Sequence, residues 1–173
     1  GYFNKYISGA DYDCQKIKGL LPHLITLSHN LQNEKSMGVK PLAKVGLMIF
    51  KTHRNCTRNF KEGLFYGKQL IESHMEHIPT IEAAWVLKEI GFMSSETRDF
   101  KKAITYCKES NKVAKNITEA DDIIAENFLI MGEVYNHQNK FEDSKSALKK
   151  AIYYAQKDLD RHHKNSPPGT GEP

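Results

Sequence analysis

The sequence of 173 residues lacks any apolar run close to the roughly 20 residues that a membrane-spanning helix needs. Its first residues lack the basic stretch and following apolar stretch of a signal peptide, so we expect none in this sequence. Six Pro and eleven Gly are too few for a collagen-like or low-complexity chain. Hydrophobic residues make up 39% and charged residues 27%, which indicates a folded protein with a sizeable core.

Cysteine is also scarce. Cys14, Cys56 and Cys107 are an odd number, and no two have the CxxC spacing of a zinc or redox motif. We interpret them as unpaired, buried residues in a reducing compartment, and therefore expect a cytoplasmic protein, with association with the cytoskeleton or another complex left open. Two segments, Asn55–Thr57 and Asn116–Thr118, match the N-glycosylation sequon, but the missing signal peptide argues against that modification.

Motifs of catalysis and metal binding are missing as well. The sequence has no phosphate-binding glycine loop, nucleophile elbow or dinucleotide fingerprint. His74 and His77 are three residues apart, a third ligand is lacking, and the pair is better explained as a helix end that interacts with the helix dipole. Cys107 lies at an apolar position of a helical pattern, and Asp121 and Asp122 fit the first turn of another helix. The sequence therefore predicts no metal site, no cofactor and no enzyme.

Three similar segments organise the chain. Each begins with Phe, has a small residue three positions later, and continues with the apolar spacing of a helix. They are Phe60–Leu70, Phe100–Ser110 and Phe141–Ala151, and successive Phe residues are 40 and 41 positions apart. A second helical pattern, centred on Gly46, Gly91 or Gly132, precedes each one. We predict three helix–turn–helix units, in which the glycine lets the second helix approach closely.

The first unit and both ends of the chain differ from this pattern. Gly46 is 14 residues before Phe60, against 9 in the other units, so its helix or turn is extended by about five residues. Residues 10–32 predict a leading helix that Pro22 kinks or divides. The expected organisation is an N-terminal helix and connector over 1–40, which fits part of a truncated repeat, three repeats over 41–160 and a disordered tail over 161–173.

These patterns resemble the tetratricopeptide repeat family, in its long form of about 40 residues per repeat. The closest match is the last unit, which has Phe128, Met131, Gly132, Tyr135, Phe141, Ser144, Leu148 and Ala151 at the family positions or nearby equivalents. The resemblance covers residues 41–158. It implies an all-α, right-handed solenoid of antiparallel helix pairs, with about three repeats, an N-terminal helix and about seven helices in all.

The resemblance also implies a function. In this family, the first helices of the units line a concave groove that holds a segment of another protein, so we expect a non-catalytic scaffold or adaptor for protein–protein interaction. The groove positions match Leu47, Phe50, Lys51, Trp85, Lys88, Phe92, Glu96, Glu126, Leu129, Glu133, Asn136 and His137. Trp85 and Phe92 are the preferred anchors because aromatic residues dominate interface energetics, although Trp85 also fits simple packing between units. The acidic groove residues predict a partner peptide with basic and apolar residues.

The positive residues outnumber the negative ones by only 25 to 21, which is below the excess of a dedicated nucleic-acid binder, so no specific nucleic acid is expected. The lysines fall mainly on the predicted second helices. We interpret them as a solvated outer face, with an acidic protein partner or weak attraction to RNA or a membrane surface as alternatives.

The sequence bears on three other functional assignments. The family members that grip the C-terminal peptide of heat-shock chaperones use Lys, Asn and Arg donors, and the matching positions here are Ala43, Leu47, Glu89, Glu126 and Ile130, so that partner is disfavoured. A peptide-sensing module of a larger regulator remains an alternative, and such a regulator carries a DNA-binding or effector segment upstream. A non-catalytic part of an enzyme is the third.

Overall fold

The computed structural model describes residues 14–33 and 39–165, and within these ranges the chain is all-helical with no strand. Seven α-helices follow one another: α1 (Cys14–Asn33), α2 (Val39–Thr52), α3 (Phe60–His74), α4 (Thr80–Glu96), α5 (Phe100–Ala114), α6 (Asp121–His137) and α7 (Phe141–Asn165). A π-helical segment, His53–Thr57, continues α2, and a 3-10 turn, Met75–His77, follows α3. The predicted all-α class and the number of helices are confirmed for the described part of the chain.

The turns that precede α3, α5 and α7 share one backbone feature. In each of them the residue two positions before the first Phe has a positive φ: Arg58 at 52°, Arg98 at 61° and Asn139 at 58°. A left-handed residue of this kind ends a helix sharply, and glycine usually occupies the position. The residues directly before α3 and α5 are Asn59 and Asp99, and each side chain accepts a backbone N–H bond of 3.3 Å from three residues later.

Two of the glycines are points of close helix contact. A Cβ atom on Gly91 in α4 would lie 2.7 Å from Sγ of Cys107 in α5. A Cβ atom on Gly132 in α6 would lie 2.8 Å from Cδ2 of Leu148 in α7. Cys107 and Leu148 both lie seven positions after the Phe that begins their helix, so the last two pairs pack in the same register. Gly46 in α2 instead faces Leu70, ten positions after Phe60, so the first pair packs differently.

Helices that are neighbours in sequence pack on one another, and α4 also contacts α6. The main core contains Phe50, Leu70, Trp85, Ile90, Met93 and Ile123, all at most 2% exposed. A buried polar link joins three helices at this core: the Ser110 hydroxyl donates to the carbonyl of Ala84, and the Asn127 amide donates to the Ser110 oxygen, both at 2.8 Å. Since a buried polar group without a partner costs about 1–3 kcal/mol, this link fixes α4, α5 and α6 relative to one another.

The predicted extension of the first unit is confirmed and has a defined structure. The π-helical segment His53–Thr57 supplies five residues between α2 and α3. Cys56 in this segment forms a disulfide with Cys14 at the start of α1. The interpretation of all three cysteines as unpaired is therefore wrong, because a contact across 42 residues depends on the fold and leaves no spacing motif. Cys107 is free and buried.

The two ends of the described chain differ partly from the prediction. The leading helix is confirmed over Cys14–Asn33, and Pro22 lies inside it without dividing it. The connector residues 34–38 lie outside the described residues. Helix α7 continues to Asn165, so a disordered tail that begins at 161 is wrong for residues 161–165. The remaining tail, 166–173, lies outside the described residues.

Candidate functional site

The structure places three of the expected groove residues in the core. Leu47 is 8% exposed, Phe50 0% and Trp85 2%, and the Trp85 ring meets the Phe50 ring edge to face at 5.6 Å between centroids. The expectation that these three side chains contact a partner is corrected, because buried atoms offer it no surface. Trp85 is buried because α4 packs against α3, α5 and α6, and Phe50 of α2 lies against its ring.

Lys88 is also buried, but in a network of charges that connects α4 with the π-helical segment and with α6. Its ammonium lies 2.9 Å from a carboxylate oxygen of Glu89 and also pairs with Glu126 of α6. Glu89 in turn pairs with Arg54 of the π-helical segment. We name Arg54, Glu89, Lys88 and Glu126 the charge ladder. Burial alone would lower the pKa of Lys88, but the Glu89 and Glu126 carboxylates outweigh it and hold that pKa above the usual value.

Lys51 and Phe92 are likewise engaged in contacts between helices. Lys51 binds Glu82 of α4 at 3.3 Å. The half-buried ring of Phe92 meets the Phe60 ring edge to face, with centroids 6.0 Å apart. The guanidinium of Arg54, in the π-helical segment, lies 4.6 Å from the Phe92 ring centroid. These contacts join α4 to α2 and α3, so both side chains contribute to the packing of the helices.

The remaining candidates are exposed, and most of them lie on α6. Glu126, Leu129, Glu133 and Asn136 recur at intervals of three or four residues, so they lie along one side of the helix. We name these four residues the α6 strip. Leu129 is 46% exposed and lies between the carboxylates of Glu126 and Glu133 on this side of the helix. The structure therefore brings together an apolar side chain and acidic groups on one accessible face.

Two exposed candidates lie outside the α6 strip. Glu96 is exposed at the end of α4. His137 is exposed at the end of α6, where its ring stacks on Phe100 with the centroids 5.7 Å apart and the planes at 9°.

A second surface, not predicted from the sequence, is a cleft of about 490 Å³ between α5 and α7. Its floor is apolar and consists of Phe128, Met131 and Tyr135 of α6 with Ala147 of α7. Its rim carries Lys108, Lys112 and Lys115 of α5 and Lys150 of α7, and the Lys150 ammonium lies 5.3 Å from the Phe128 ring centroid. We name it the lysine-rimmed cleft. The sequence showed both the lysines and the aromatic positions, but nothing in it placed them around one cavity.

The side chains that could carry out chemistry are buried or ion-paired in the structure. Burial raises the pKa of the Cys107 thiol to about 12, so the thiolate needed for nucleophilic attack is scarce at neutral pH. Asp121 binds Lys157 at 2.9 Å and Arg161 at 2.6 Å, which ties the first turn of α6 to α7. Within residues 14–33 and 39–165, no group of three potential metal ligands comes together.

Comparison of the chain with protein-family models and with curated proteins gives no match. Among the described helices, none has both the length and the apolar character needed to cross a membrane.

Proposed function

We propose that the chain is a tetratricopeptide-like solenoid of three helix pairs, α2–α3, α4–α5 and α6–α7. Three observations support this. Helices pack on their neighbours in sequence, a left-handed residue precedes the second helix of each pair by two positions, and Gly91 and Gly132 pack in the same register. Packing between sequence neighbours is the property that defines a solenoid.

The proposed function is a non-catalytic scaffold that binds a segment of another protein on the α6 strip. The observation that carries it is the exposed Leu129 between the carboxylates of Glu126 and Glu133, with Asn136 one turn further. An apolar side chain of the partner can pack on Leu129, while its Lys or Arg residues pair with Glu133, since the Glu126 carboxylate is already paired with Lys88. The partner is therefore a peptide or helix with basic residues next to an apolar anchor.

The lysine-rimmed cleft favours a second binding surface with the opposite charge preference. Its apolar floor and four lysines suit an amphipathic helix whose apolar face lies on the half-buried rings of Phe128 and Tyr135 and whose acidic residues meet the rim. The two surfaces lie on different faces of α6 and predict partners of different composition.

Charge-reversal variants separate the two surfaces. Binding partners are captured from an extract with the parent chain, and the same capture is repeated with Leu129→Ala, Glu133→Lys and the double variant Lys112→Glu/Lys150→Glu. If the α6 strip binds the partner, the first two variants lose it and Glu133→Lys slows association most at low salt. Loss only in the double lysine variant assigns the partner to the cleft.

A matched control uses Glu72→Lys, which reverses an exposed charge on α3, a helix that contributes no residue to either surface. It should bind as the parent does. Far-UV circular dichroism of every variant checks that the helices are retained. If all variants retain every captured partner, neither surface binds and the proposed function is refuted.

Two further assignments stay proposals without a specific observation in their favour, namely a peptide-sensing module of a larger regulator and a non-catalytic part of an enzyme. The expected cytoplasmic location depended on unpaired cysteines, and the Cys14–Cys56 disulfide removes that ground.

A further inference from the structure

The turn between α5 and α6 contains a sequon that the fold leaves accessible. Asn116, Ile117 and Thr118 lie in this turn, and both Asn116 and Thr118 are exposed. Within the described residues, no hydrogen bond involves the side chain of Asn116 or Thr118, whereas the turn itself is closed by a backbone bond of 2.9 Å from Ile117 to the carbonyl of Ala114. Asn116 also borders a broad surface depression of about 710 Å³, so there is open space beyond its amide.

A second observation concerns the environment in which the chain folds. The Cys14–Cys56 disulfide joins two helices, and such bonds form and persist in oxidising compartments and are rare in reducing ones. In eukaryotes, the oxidising compartment of the secretory route is also the place where sequons are glycosylated. The disulfide indicates an oxidising compartment, and the exposed sequon is an acceptor that the glycosylation machinery of such a compartment can modify.

The other sequon differs in each of these respects. Asn55 is half-buried within the π-helical segment, and its neighbour Cys56 is fixed by the disulfide. The Thr57 hydroxyl, which the sequon requires, is engaged with the His53 ring at 3.1 Å and accepts the backbone N–H of Asn59 at 3.2 Å. The chain therefore offers an internal comparison between the exposed sequon at Asn116 and the sequon at Asn55, whose side chains are held in contacts.

We infer that Asn116 is an N-glycosylation site and that Asn55 is not. In the transfer, Nδ2 of Asn116 forms a bond to the anomeric carbon of the first sugar of a lipid-pyrophosphate-linked oligosaccharide. The bond between that carbon and the pyrophosphate oxygen breaks, the lipid pyrophosphate leaves with the electron pair, and the amide gives up one proton to the transferase. The glycan then projects from the turn, beside the end of the lysine-rimmed cleft at Lys115.

The test uses the protein isolated from the cells that make it. Enzymatic removal of N-glycans in heavy-oxygen water converts a glycosylated Asn to a labelled Asp, and mass spectrometry reads the peptides that contain positions 116 and 55. We expect the label at position 116 and not at position 55. An unlabelled Asn116, or a label at Asn55, overturns the inference.

A second arm uses the full chain directed into the secretory route of cultured eukaryotic cells. The parent and Asn55→Gln should each show one glycosidase-sensitive shift in gel mobility, whereas Asn116→Gln and Thr118→Ala should show none. Thr118→Ser, which preserves the sequon, should retain the shift and so separates loss of the acceptor from local misfolding. A shift that persists in Asn116→Gln contradicts the inference.

Discussion

Gly91 and Cys107 are in contact where α4 crosses α5, and the space for a Cβ atom on Gly91 is already filled by the Cys107 sulfur, 2.7 Å away. The Ala103 carbonyl oxygen lies 3.3 Å from the same position. Rotation of the Cys107 side chain would therefore not make room for a Cβ atom, because the backbone of α5 also occupies the space. Glycine in the middle of a helix costs about 1 kcal/mol relative to alanine, and here the close approach of the two helices offsets that cost.

Gly91→Ala is therefore expected to lower the free energy of unfolding by about 1–3 kcal/mol through overpacking. Gly132→Ala should cost less, because its main obstacle is the end of the half-exposed Leu148 side chain, whereas Gly132→Leu should destabilise α6–α7 strongly. The control is Gly19→Ala in α1, where nothing lies within 4 Å and a gain of about 0.5–1 kcal/mol is expected. Urea unfolding measures all four, and a Gly91→Ala variant as stable as the parent would show that the packing register is wrong.

Trp85→Ala should destabilise the fold by about 3–5 kcal/mol, since it removes a large buried ring from its contact with Phe50. Leu129→Ala should change the free energy of unfolding by no more than about 0.5 kcal/mol, because its side chain is 46% exposed. Thermal and urea unfolding of the two variants measure both changes in stability. Equal stability of Trp85→Ala and the parent would contradict a core position for Trp85.

Reduction of the Cys14–Cys56 disulfide should lower the free energy of unfolding by about 2–4 kcal/mol, because the bond closes a loop across 42 residues in the unfolded chain. Thiol titration of the unreduced, denatured chain should find only Cys107. Cys14→Ser should be as unstable as the reduced parent and should not respond to reductant. Three titratable thiols in the isolated protein would refute the disulfide.

Acid should weaken the fold through His53. Burial lowers the pKa of its ring below the ordinary histidine value of 6.5, and the nearby Glu62 carboxylate only partly counters this. The stabilisation is present above pH 6.5 and is lost as the pH falls through the lower folded-state pKa, by about 1.4 kcal/mol per unit of pKa difference. His53→Gln should therefore lose less stability than the parent between pH 7 and 5. Parallel pH profiles of the two proteins would exclude a role for this ring.

Removal of Lys88 from the charge ladder should strongly lower the free energy of unfolding. Lys88→Ala leaves the buried Glu89 with one partner fewer and is expected to cost about 3–5 kcal/mol, whereas Lys51→Ala removes a half-exposed pair and should cost no more than about 1 kcal/mol. Chemical denaturation of both variants at one pH provides the comparison. If Lys88→Ala is the milder of the two, the ladder is not a stabilising network.

Local sequence patterns predicted the helices and many of their ends. Helices α3, α5 and α7 begin at the Phe residues that defined the units, and the five extra residues of the first unit form the π-helical segment. Such features follow from the periodicity of apolar residues and from turn chemistry, which act over a few neighbouring positions.

Which residues are accessible is determined by how the helices pack, and local sequence patterns did not predict it. Trp85 and Leu129 were both predicted to contact a partner, yet Trp85 lies in the core against Phe50, whereas Leu129 lies on the exposed side of α6. The lysine-rimmed cleft and the Cys14–Cys56 bond bring together residues about 42 positions apart on successive helices. Burial and long-range contacts are properties of how helices pack against one another, and a periodic pattern specifies only which side of each helix is apolar.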